Sequence, residues 1–495
     1  MRYKNLIRKV CVIVLLAALT LCFYACSKND KSNSESVVST TQSEDETEMV
    51  FATRATKATS GTCGETATWI YDAVSRTLTI KGTGQINDES SMNQWASYTE
   101  NIVIEEGITD FYGGVFSDFI NVRNIDLPDI PINISEYTFS ETAYCKDSSN
   151  WDNGVLYIDN HLVKALETTN GKYTVKSGTI AICFRAFWGS GISEIVLPDS
   201  VVKIGNEALT KCHSLKSIYI GSGLQEFSEN VFDERTEIEF YSGPYLLEKI
   251  EVSKNNKYLS SENGVLYNKD KTELLWYPAS SSAKELSMPD TVQTISWLAF
   301  INAANLETLI LGNNVTAPDF LLYGCISLKK VYIGKSLQYD DEIGWIFNNC
   351  PSLEFIDVHI QNPNYSSVEG VLFNKNKTTL VKYPAAKKGV EYNIPDSVTT
   401  IANYAITKVI YLEKLFISKN VINLSPSCIG YFDDDRSSLR IVTYKIYYEG
   451  TSNQWDSISS ELYSEPIVYY NSDKFLGTKT PEVLTTKKSN VFDWF

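Results

Sequence analysis

The sequence predicts a β-rich solenoid, in which short coils with parallel strands stack on one another and β-hairpins are inserted between some coils. A six-residue aliphatic pattern recurs along the chain, it marks coils of about 23 residues, and one hairpin-like segment is repeated after 106 residues. The 30 Tyr and 21 Phe residues support a β-rich body, because aromatic side chains suit the pleated surface of a sheet. At 495 residues the chain is too long for one ordinary globular core, which favours a repeat array or several domains.

Residues 1–26 have the segment order of a bacterial lipoprotein signal peptide. Residues 2–9 contain four basic side chains, and residues 10–22 carry no charge. Ala25 directly precedes Cys26. The apolar run of about 13 residues is shorter than the roughly 20 residues that a membrane-spanning helix needs. We therefore expect export to the cell surface, with the new N-terminal Cys26 lipid-anchored to the bacterial membrane. An ordinary cleaved signal peptide with an incidental cysteine is the alternative.

Residues 27–60 are rich in Ser, Thr, Lys, Asp and Glu, and poor in aromatic side chains. Such a segment cannot bury enough apolar surface to fold, so it is predicted to be a disordered tether. A flexible coil of this length reaches roughly 30–35 Å, which would hold the folded body away from a bilayer.

The main repeat is a strand pattern that reads Leu-x-x-Ile-x-Ile. Its last two aliphatic positions are two residues apart, so both side chains point to the same side of a short strand. The pattern occurs as Val122/Ile125/Leu127, Ile192/Ile195/Leu197, Leu215/Ile218/Ile220, Leu247/Ile250/Val252, Leu306/Leu309/Leu311, Leu328/Val331/Ile333, Leu353/Ile356/Val358 and Leu412/Leu415/Ile417.

A return segment ends in a bulky residue twelve positions after an apolar residue at the end of a predicted strand. The starting positions are Ile104, Val175, Leu197, Ile220, Met288, Leu311 and Ile394. These bulky residues are Phe116, Phe187, Leu209, Phe232, Phe300, Tyr323 and Ile406. In three coils a Pro-Asp-Ser or Pro-Asp-Thr turn follows the strand, at Pro198, Pro289 and Pro395. Since proline lacks an amide donor, we expect strand pairing to end there and the Asp side chain to bond nearby backbone amides.

A longer period is superimposed on these coils. Residues 263–272 match residues 369–378, residues 276–279 match residues 382–385, and a weaker copy occupies residues 153–157. Two apolar runs that flank a polar Asn-Lys turn predict a β-hairpin inserted into the stack. Such insertions usually emerge on one face of a solenoid.

These patterns resemble the BspA-like family of leucine-rich repeat surface proteins over about residues 61–460. The resemblance includes a leading segment, Gly61–Gly64 with residues 78–84, and a closing segment, residues 446–451 with Trp455. It implies a leucine-rich repeat solenoid on the bacterial surface, with roles in adhesion to host proteins or in contacts between bacteria.

A stack of coils exposes its core at both ends, so a cap is expected at each end. The segment with Trp95 and Tyr98 is the N-terminal candidate, and the segment with Trp455 is the C-terminal one. The predicted division of the chain is a signal peptide 1–26, a tether 27–60, an N-terminal β cap 61–100, a repeat solenoid 101–443, a C-terminal cap 444–475 and a tail of unassigned role 476–495.

The residue between the two inward positions of each strand must point outward. That column contains Asp126, Val196, Tyr219, Glu251, Ile310, Tyr332, Asp357 and Phe416. Its mixture of aromatic, aliphatic and acidic groups suits extracellular proteins or glycans, and the candidate ligand contacts are Tyr219, Ile310, Tyr332, Asp357 and Phe416. The alternative is that these side chains only stabilise the sheet as cross-strand neighbours.

Seven cysteines follow Cys26, and an odd number in an exported chain argues against a complete disulfide framework. Cys212, Cys325 and Cys350 each precede a strand pattern by three residues, which predicts a buried packing role. No Cys-x-x-Cys spacing indicates zinc in the body of the chain.

The sequence points to no catalytic residue, metal ligand or cofactor. The chain has three histidines, His161, His213 and His359, and each is expected to be a solvated or hydrogen-bonded surface residue. The acidic runs 340–342 and 433–435 lack the spacing of a calcium loop and are expected to be solvated loops.

Charge narrows the range of partners. The formal net charge is −16, and removing the four basic residues of the signal peptide would make it −20. Phosphate backbones and anionic lipid surfaces are repelled by such a chain, so nucleic acid is not an expected partner.

The sequence therefore predicts a non-catalytic surface lipoprotein that binds extracellular proteins or glycans through its repeats. One alternative is a glycan-active enzyme, because two of the 60 acidic residues could face each other across a cleft. Another is a structural spacer that displays its C-terminal tail, residues 478–495.

Overall fold

A computed structural model describes residues 58–470, except 88, 90, 112, 228, 233–243, 317–321, 339–342, 348, 431–441 and 463–465. Four predictions lie outside the described residues. They are the lipid attachment at Cys26, the tether up to residue 57, the acidic loops 340–342 and 433–435, and the tail 476–495.

The described residues are mostly short strands. In chain order they are β1 (Ser60–Thr62), β2 (Thr68–Asp72), β3 (Thr77–Lys81), β4 (Gly84–Ile86), β5 (Asn101–Ile104), β6 (Ile108–Phe111), β7 (Asn124–Asp126), β8 (Trp151–Asp152), β9 (Val155–Ile158), β10 (His161–Ala165), β11 (Asn170–Thr174), β12 (Ala181–Ile182), β13 (Gly191–Val196), β14 (Lys203–Ile204), β15 (Ser217–Ile220), β16 (Lys249–Val252), β17 (Leu259–Glu262), β18 (Val265–Asn268), β19 (Glu273–Trp276), β20 (Glu285–Ser287), β21 (Thr294–Ile295), β22 (Thr308–Ile310), β23 (Lys330–Ile333), β24 (Phe355–Val358), β25 (Tyr365–Val368), β26 (Val371–Asn374), β27 (Thr379–Lys382), β28 (Glu391–Asn393), β29 (Thr400–Ile401), β30 (Ile406–Thr407), β31 (Lys414–Ile417), β32 (Asn423–Leu424), β33 (Ile429–Gly430), β34 (Lys445–Tyr448) and β35 (Val468–Tyr469). The α-helices are α1 (Ala143–Lys146) and α2 (Ser452–Ser459), and short 3-10 turns occupy Asn93–Trp95, Ser148–Asn150, Glu229–Val231 and Ile343–Phe347.

The strands predicted from the aliphatic pattern are all present, as β7, β13, β15, β16, β22, β23, β24 and β31. They pair in parallel with the equivalent strand of a neighbouring coil, and aliphatic positions stay in register. Ile195 lies beside Ile218, and Ile218 lies beside Ile250. The predicted β-rich solenoid with parallel strands is confirmed.

The inward aliphatic side chains form a core that continues from coil to coil. Among the predicted bulky residues Tyr323 is half-buried, whereas the other six are at most 2% exposed. The buried apolar residues fall into successive clusters that overlap in sequence, spanning residues 63–183, 155–301, 265–381 and 371–470. Each coil therefore buries its apolar side against its neighbours, as a solenoid requires.

The predicted hairpins are present, but they belong to the sheets of the stack. β18 and β19 pair antiparallel around the Asn-Lys turn, and β26 and β27 do the same 106 residues later. β19 then pairs in parallel with β21, and β27 with β29, so each hairpin continues a sheet of the solenoid. The predicted hairpins are therefore confirmed as parts of the stack.

A third strand extends each of these two hairpins and was not predicted. We call β17–β19 the first hairpin unit and β25–β27 the second, since they lie 106 residues apart. β17 pairs antiparallel with β18 through a two-residue turn, Asn263-Gly264, in which both residues have positive φ angles of 52° and 82°. Such a turn matches the right-handed twist of two antiparallel strands. β25 and β26 are joined in the same way by Glu369-Gly370.

The Pro-Asp turns end their strands as predicted, because β13, β20 and β28 each stop two residues before the proline. The Asp199 and Asp290 side chains bond backbone amides of the next coil. Asp199 Oδ1 accepts a hydrogen bond from the Ser222 amide at 2.6 Å, and Asp290 Oδ1 accepts one from the Asn313 amide at 3.0 Å. These turns therefore connect neighbouring coils.

All seven cysteines among the described residues are buried, and each carries a thiol. The thiols predicted to point inward donate to carbonyl oxygens of the preceding coil: Cys212 to Phe187 at 3.0 Å, Cys325 to Phe300 at 3.3 Å, and Cys350 to Leu322 at 3.2 Å. Burial raises the pKa of the Cys212 and Cys350 thiols to about 12, so these groups are neutral packing residues at physiological pH.

The two ends of the described chain contain elements other than parallel strands. At the N-terminal end β1, β2 and β3 are antiparallel, and parallel pairing starts between β3 and β5. At the C-terminal end α2 begins with a capping box between Thr451 and Gln454, and buries Trp455. No helix within the described residues has the length and apolar character needed to cross a membrane.

Candidate functional site

Three four-stranded parallel sheets carry the candidate ligand contacts. Their strand orders are β11-β13-β15-β16, β20-β22-β23-β24 and β28-β31-β34-β35. We call the side of these sheets that points away from the core the front face. The hairpin units stand between the sheets in the sequence, so the front face consists of separate sheets and not of one uninterrupted column.

The structure brings the predicted column together in groups. In the first sheet Val196 lies beside Tyr219, and Tyr219 lies beside Glu251. In the second sheet Ile310 lies beside Tyr332, which lies beside Asp357. Phe416 belongs to the third sheet, and Asp126 belongs to the N-terminal sheet, next to Val103.

Exposure differs among these candidates. Tyr219 is 41% exposed, whereas Ile310, Tyr332, Asp357 and Phe416 are half-buried. Asp357 is also bonded within the protein, because its Oδ1 accepts a hydrogen bond from Ser367 Oγ at 2.7 Å. The half-buried rings contact neighbouring strands and keep part of their surface available to a partner.

Sequence reasoning missed two front-face residues, Tyr447 and Tyr469. The ring of Tyr447 stacks on Phe416 with a centroid distance of 5.0 Å, and the ring of Tyr469 stacks on Tyr447, also at 5.0 Å. The alternation Ile446-Tyr447-Tyr448 is the signal that could have identified β34, since Ile446 and Tyr448 are buried and Tyr447 points outward.

Ion pairs cross the front face between the apolar positions. Lys172 and Glu194 approach to 3.3 Å, and Lys249 and Glu251 approach to 3.1 Å. Glu307 accepts hydrogen bonds from the ammonium groups of Lys284 and Lys329, which lower the pKa of its carboxyl to about 2. The front face therefore combines aromatic rings with paired charges.

The expectation for His161 was wrong, because its side chain is fully buried. Its Nε2 lies 3.3 Å from the Ile132 amide and 3.0 Å from the Ile130 carbonyl oxygen, while its Nδ1 has no hydrogen-bond partner among the described residues. Burial lowers the pKa of the His161 imidazole, which keeps the ring neutral. The loop that carries Ile130 and Ile132 contacts this ring, and the spacing of residues within one coil does not reveal such a contact.

The other two histidines are at the surface, as expected. His213 is exposed and its ring stacks on Tyr245, with the centroids 6.1 Å apart. His359 is half-buried, and its Nδ1 accepts a hydrogen bond from the Gln361 amide at 3.1 Å. Within the residues that the structure describes, no three His, Cys, Asp or Glu side chains converge in a way that could hold a metal ion.

Known proteins with this architecture were found by comparison. The family model of the BspA type leucine rich repeat region matches residues 85–170, 147–259, 277–394 and 388–447, with six copies of the repeat. A search of the curated proteins found no match.

Several solved structures are similar to this chain. A leucine-rich repeat protein from Eubacterium ventriosum is 19% identical, with a TM-score of 0.34, and the match covers 85% of this chain and 97% of that chain. A leucine rich cell surface protein from Faecalibacterium prausnitzii is 15% identical, with a TM-score of 0.34 and coverage of 66% and 95%. The pneumococcal vaccine antigen PcpA is 13% identical, with a TM-score of 0.36 and coverage of 83% and 99%.

The family model covers well over half of the chain, and the matched residues contain the parallel strands described above. The resemblance to the BspA-like family is thereby confirmed. The chain belongs to the family of proteins built from the BspA type leucine rich repeat region.

Proposed function

We propose that this protein is a lipid-anchored cell-surface protein that binds extracellular proteins or glycans through its front face, without catalysis. The observation that carries the proposal is the arrangement of Tyr219, Tyr332 and Phe416, each in register with neighbouring side chains on the outward side of a parallel sheet. Rings held by a rigid sheet supply contact area at a low cost in conformational entropy.

Family membership supports a surface location, because the BspA-like family to which the repeats belong consists of surface proteins. The order of segments in residues 1–26 supports lipid attachment at Cys26. The net charge of −16 favours uncharged or basic partners over nucleic acid and anionic lipid.

The first experiment is a binding screen of the purified protein against extracellular matrix proteins, mucins and polysaccharides. We expect saturable binding to at least one of these classes, with no turnover. Each polysaccharide incubation is followed by product detection, because steady release of products would contradict the non-catalytic proposal and favour a glycan-active enzyme. Failure to bind any of the three classes would favour a structural spacer.

A further inference from the structure

A polar groove opens where the front face meets the first hairpin unit. Its volume is about 710 Å³, which lies within the range of about 300–1,000 Å³ typical of small-ligand sites. Three segments line it: the strand β16 with Glu248 before it, the turn Asn263-Gly264, and the loop Ser280–Ala283. The groove therefore joins a front-face strand to parts of the chain that no front-face prediction included.

Several side chains in this groove have unused hydrogen-bonding capacity. Glu248, Asn263 and Ser282 are exposed, and their side chains bond no other residue within the described parts of the chain. Ser261 Oγ accepts a hydrogen bond from the Val252 amide at 2.9 Å, so its own proton stays available to donate. Carboxylate, amide and hydroxyl groups thus face one space.

The second hairpin unit provides an internal comparison, since its strands lie 106 residues later. Glu248 corresponds to Glu354, and Ser282 corresponds to Lys388. There, Lys388 Nζ lies 3.5 Å from Glu354 Oε1 and 4.3 Å from the centroid of the Tyr411 ring. Lys388 therefore pairs with Glu354, whereas no side chain in the described parts of the chain pairs with Glu248.

Other side chains of the second unit also cover or bond the residues of its turn. Phe355 replaces Lys249, and its ring covers Gly370, where an added Cβ would lie 2.5 Å from Phe355 Cδ2. Lys387 Nζ donates to the Glu369 carbonyl oxygen. These two units thus share one backbone arrangement, which side chains fill in the second unit and leave open and polar in the first.

The chemistry of the open groove matches a neutral saccharide. Carboxylate, serine and asparagine groups can pair with neighbouring sugar hydroxyls as acceptors and donors. Tyr219 lies beside Glu251 on the front face and is 41% exposed, so its ring can contact the apolar face of a sugar. Glu248 and the net charge of −16 disfavour sialylated or sulfated sugars.

A protein partner fits this groove less well. Protein interfaces depend on aromatic or aliphatic anchors in desolvated pockets. The groove is lined by Glu, Lys, Ser, Asn, Gly and Ala side chains, and has no such anchor within it.

We propose that the groove between β16, the Asn263-Gly264 turn and the Ser280–Ala283 loop is a binding site for a neutral oligosaccharide, bordered by Tyr219. This inference rests on the proposed function and names a ligand class and a position for it. The second hairpin unit, which has the same backbone with paired side chains, does not bind.

The test uses isothermal titration calorimetry of the purified full-length protein with neutral trisaccharides of glucose, galactose, mannose or N-acetylglucosamine. Sialyllactose serves as the anionic probe. We expect one site per chain for at least one neutral trisaccharide, and binding of sialyllactose at least tenfold weaker. Ser282→Lys places an ammonium beside Glu248, as Lys388 lies beside Glu354, and should weaken the affinity at least about tenfold.

The matched control is Glu354→Gln, which changes the corresponding acid in the closed unit and should leave the affinity unchanged. Glu248→Gln provides a second variant with little change in volume, and should weaken binding by several fold. Thermal unfolding of every variant establishes that it is folded.

Two results would overturn the inference. One is the absence of binding to every neutral trisaccharide at millimolar concentration, and the other is binding that Ser282→Lys leaves intact. If either result comes with retained binding to a matrix protein, mucin or polysaccharide in the screen, the groove inference fails while the proposed function stands. Trisaccharide binding that Ser282→Lys abolishes, without any macromolecular partner in the screen, supports the groove as a glycan site and contradicts only the binding of a macromolecule through the front face.

Discussion

Lys382 shows how one residue can depart from its repeat. It occupies the position of Trp276 in the preceding hairpin unit and is only 1% exposed. Its Nζ donates to the Tyr404 carbonyl oxygen at 2.7 Å and to Thr407 Oγ1 at 3.2 Å. Burial lowers the pKa of the Lys382 ammonium from 10.5 to about 7, because the low-dielectric core disfavours the charge.

This burial makes the stability of the protein depend on pH. Between pH 7 and pH 10.5 the unfolded chain binds the Lys382 proton more tightly than the folded chain, so the contribution of Lys382 to stability rises with pH. We expect Lys382→Met to raise the free energy of unfolding at pH 7 by about 1–4 kcal/mol. The advantage of the variant should shrink from pH 7 to pH 9, measured by urea denaturation. A constant difference across that range would contradict the assignment.

The turn before β26 offers a second test at the residue scale. Glu369 has a φ of 50°, a conformation that Asn tolerates better, and Asn263 occupies the corresponding position at 52°. Glu369→Asn should therefore stabilise the protein by about 0.5–1 kcal/mol. The reverse change, Asn263→Glu, should destabilise it by a similar amount, and equal midpoints of thermal unfolding for both variants would refute this explanation.

At the scale of elements, buried asparagines hold each hairpin unit to the coil before it. Asn256 Nδ2 donates to the Gly221 and Leu224 carbonyl oxygens at 2.9 Å each, and its Oδ1 accepts from the Tyr258 and Leu259 amides at 2.8 Å each. Asn362 forms similar bonds 106 residues later. These side chains fix where β17 and β25 begin.

Removing such a side chain leaves several buried backbone groups without partners. Asn256→Ala should lower the free energy of unfolding by about 2–4 kcal/mol, measured by chemical denaturation. The neighbouring Asn255 is exposed, so Asn255→Ala should change the free energy of unfolding by less than about 0.5 kcal/mol. Similar losses in both variants would show that the buried bonds do not stabilise the unit.

The elements were predicted unevenly from the sequence, for physical reasons. The strands β13, β15 and β16 follow from aliphatic spacing, because a side chain must point inward wherever coils share a core. The strand β17 was missed, since its pattern Leu-Ser-Ser-Glu has one buried residue. The cover over His161 and the bonds of Asn256 depend on contacts between coils, which spacing within one coil does not encode.

At the scale of the whole molecule, each coil depends on its neighbours for burial, so the ends need protection. We propose that residues 61–100 and 444–475 are the caps. In the N-terminal segment Trp95 is 1% exposed, its ring stacks on Tyr71 with centroids 4.2 Å apart, and its Nε1 donates to the Ala58 carbonyl oxygen at 2.8 Å.

If this segment is a cap, its loss should unfold the array from that end. Trp95→Ala should cost about 3–5 kcal/mol locally. Amide hydrogen exchange should then accelerate in β5 and β7 while β22 and β23 keep their protection. Uniform acceleration across all the strands would contradict a capping role.

The function proposed for the whole molecule rests on partner contact through the front face. The most direct test compares two triple variants in one binding assay, against a partner found in the screen. Tyr219, Tyr332 and Phe416 are changed to Ser in the first variant. In the second, Ile326, Ile360 and Ile422, which are exposed by 55%, 85% and 61% outside the predicted column, are changed to Ser. We predict that the first variant loses at least about tenfold in affinity while it stays folded, and that the second binds like the unaltered protein. Unchanged affinity in the first variant, or an equal loss in both, would contradict binding through the front face.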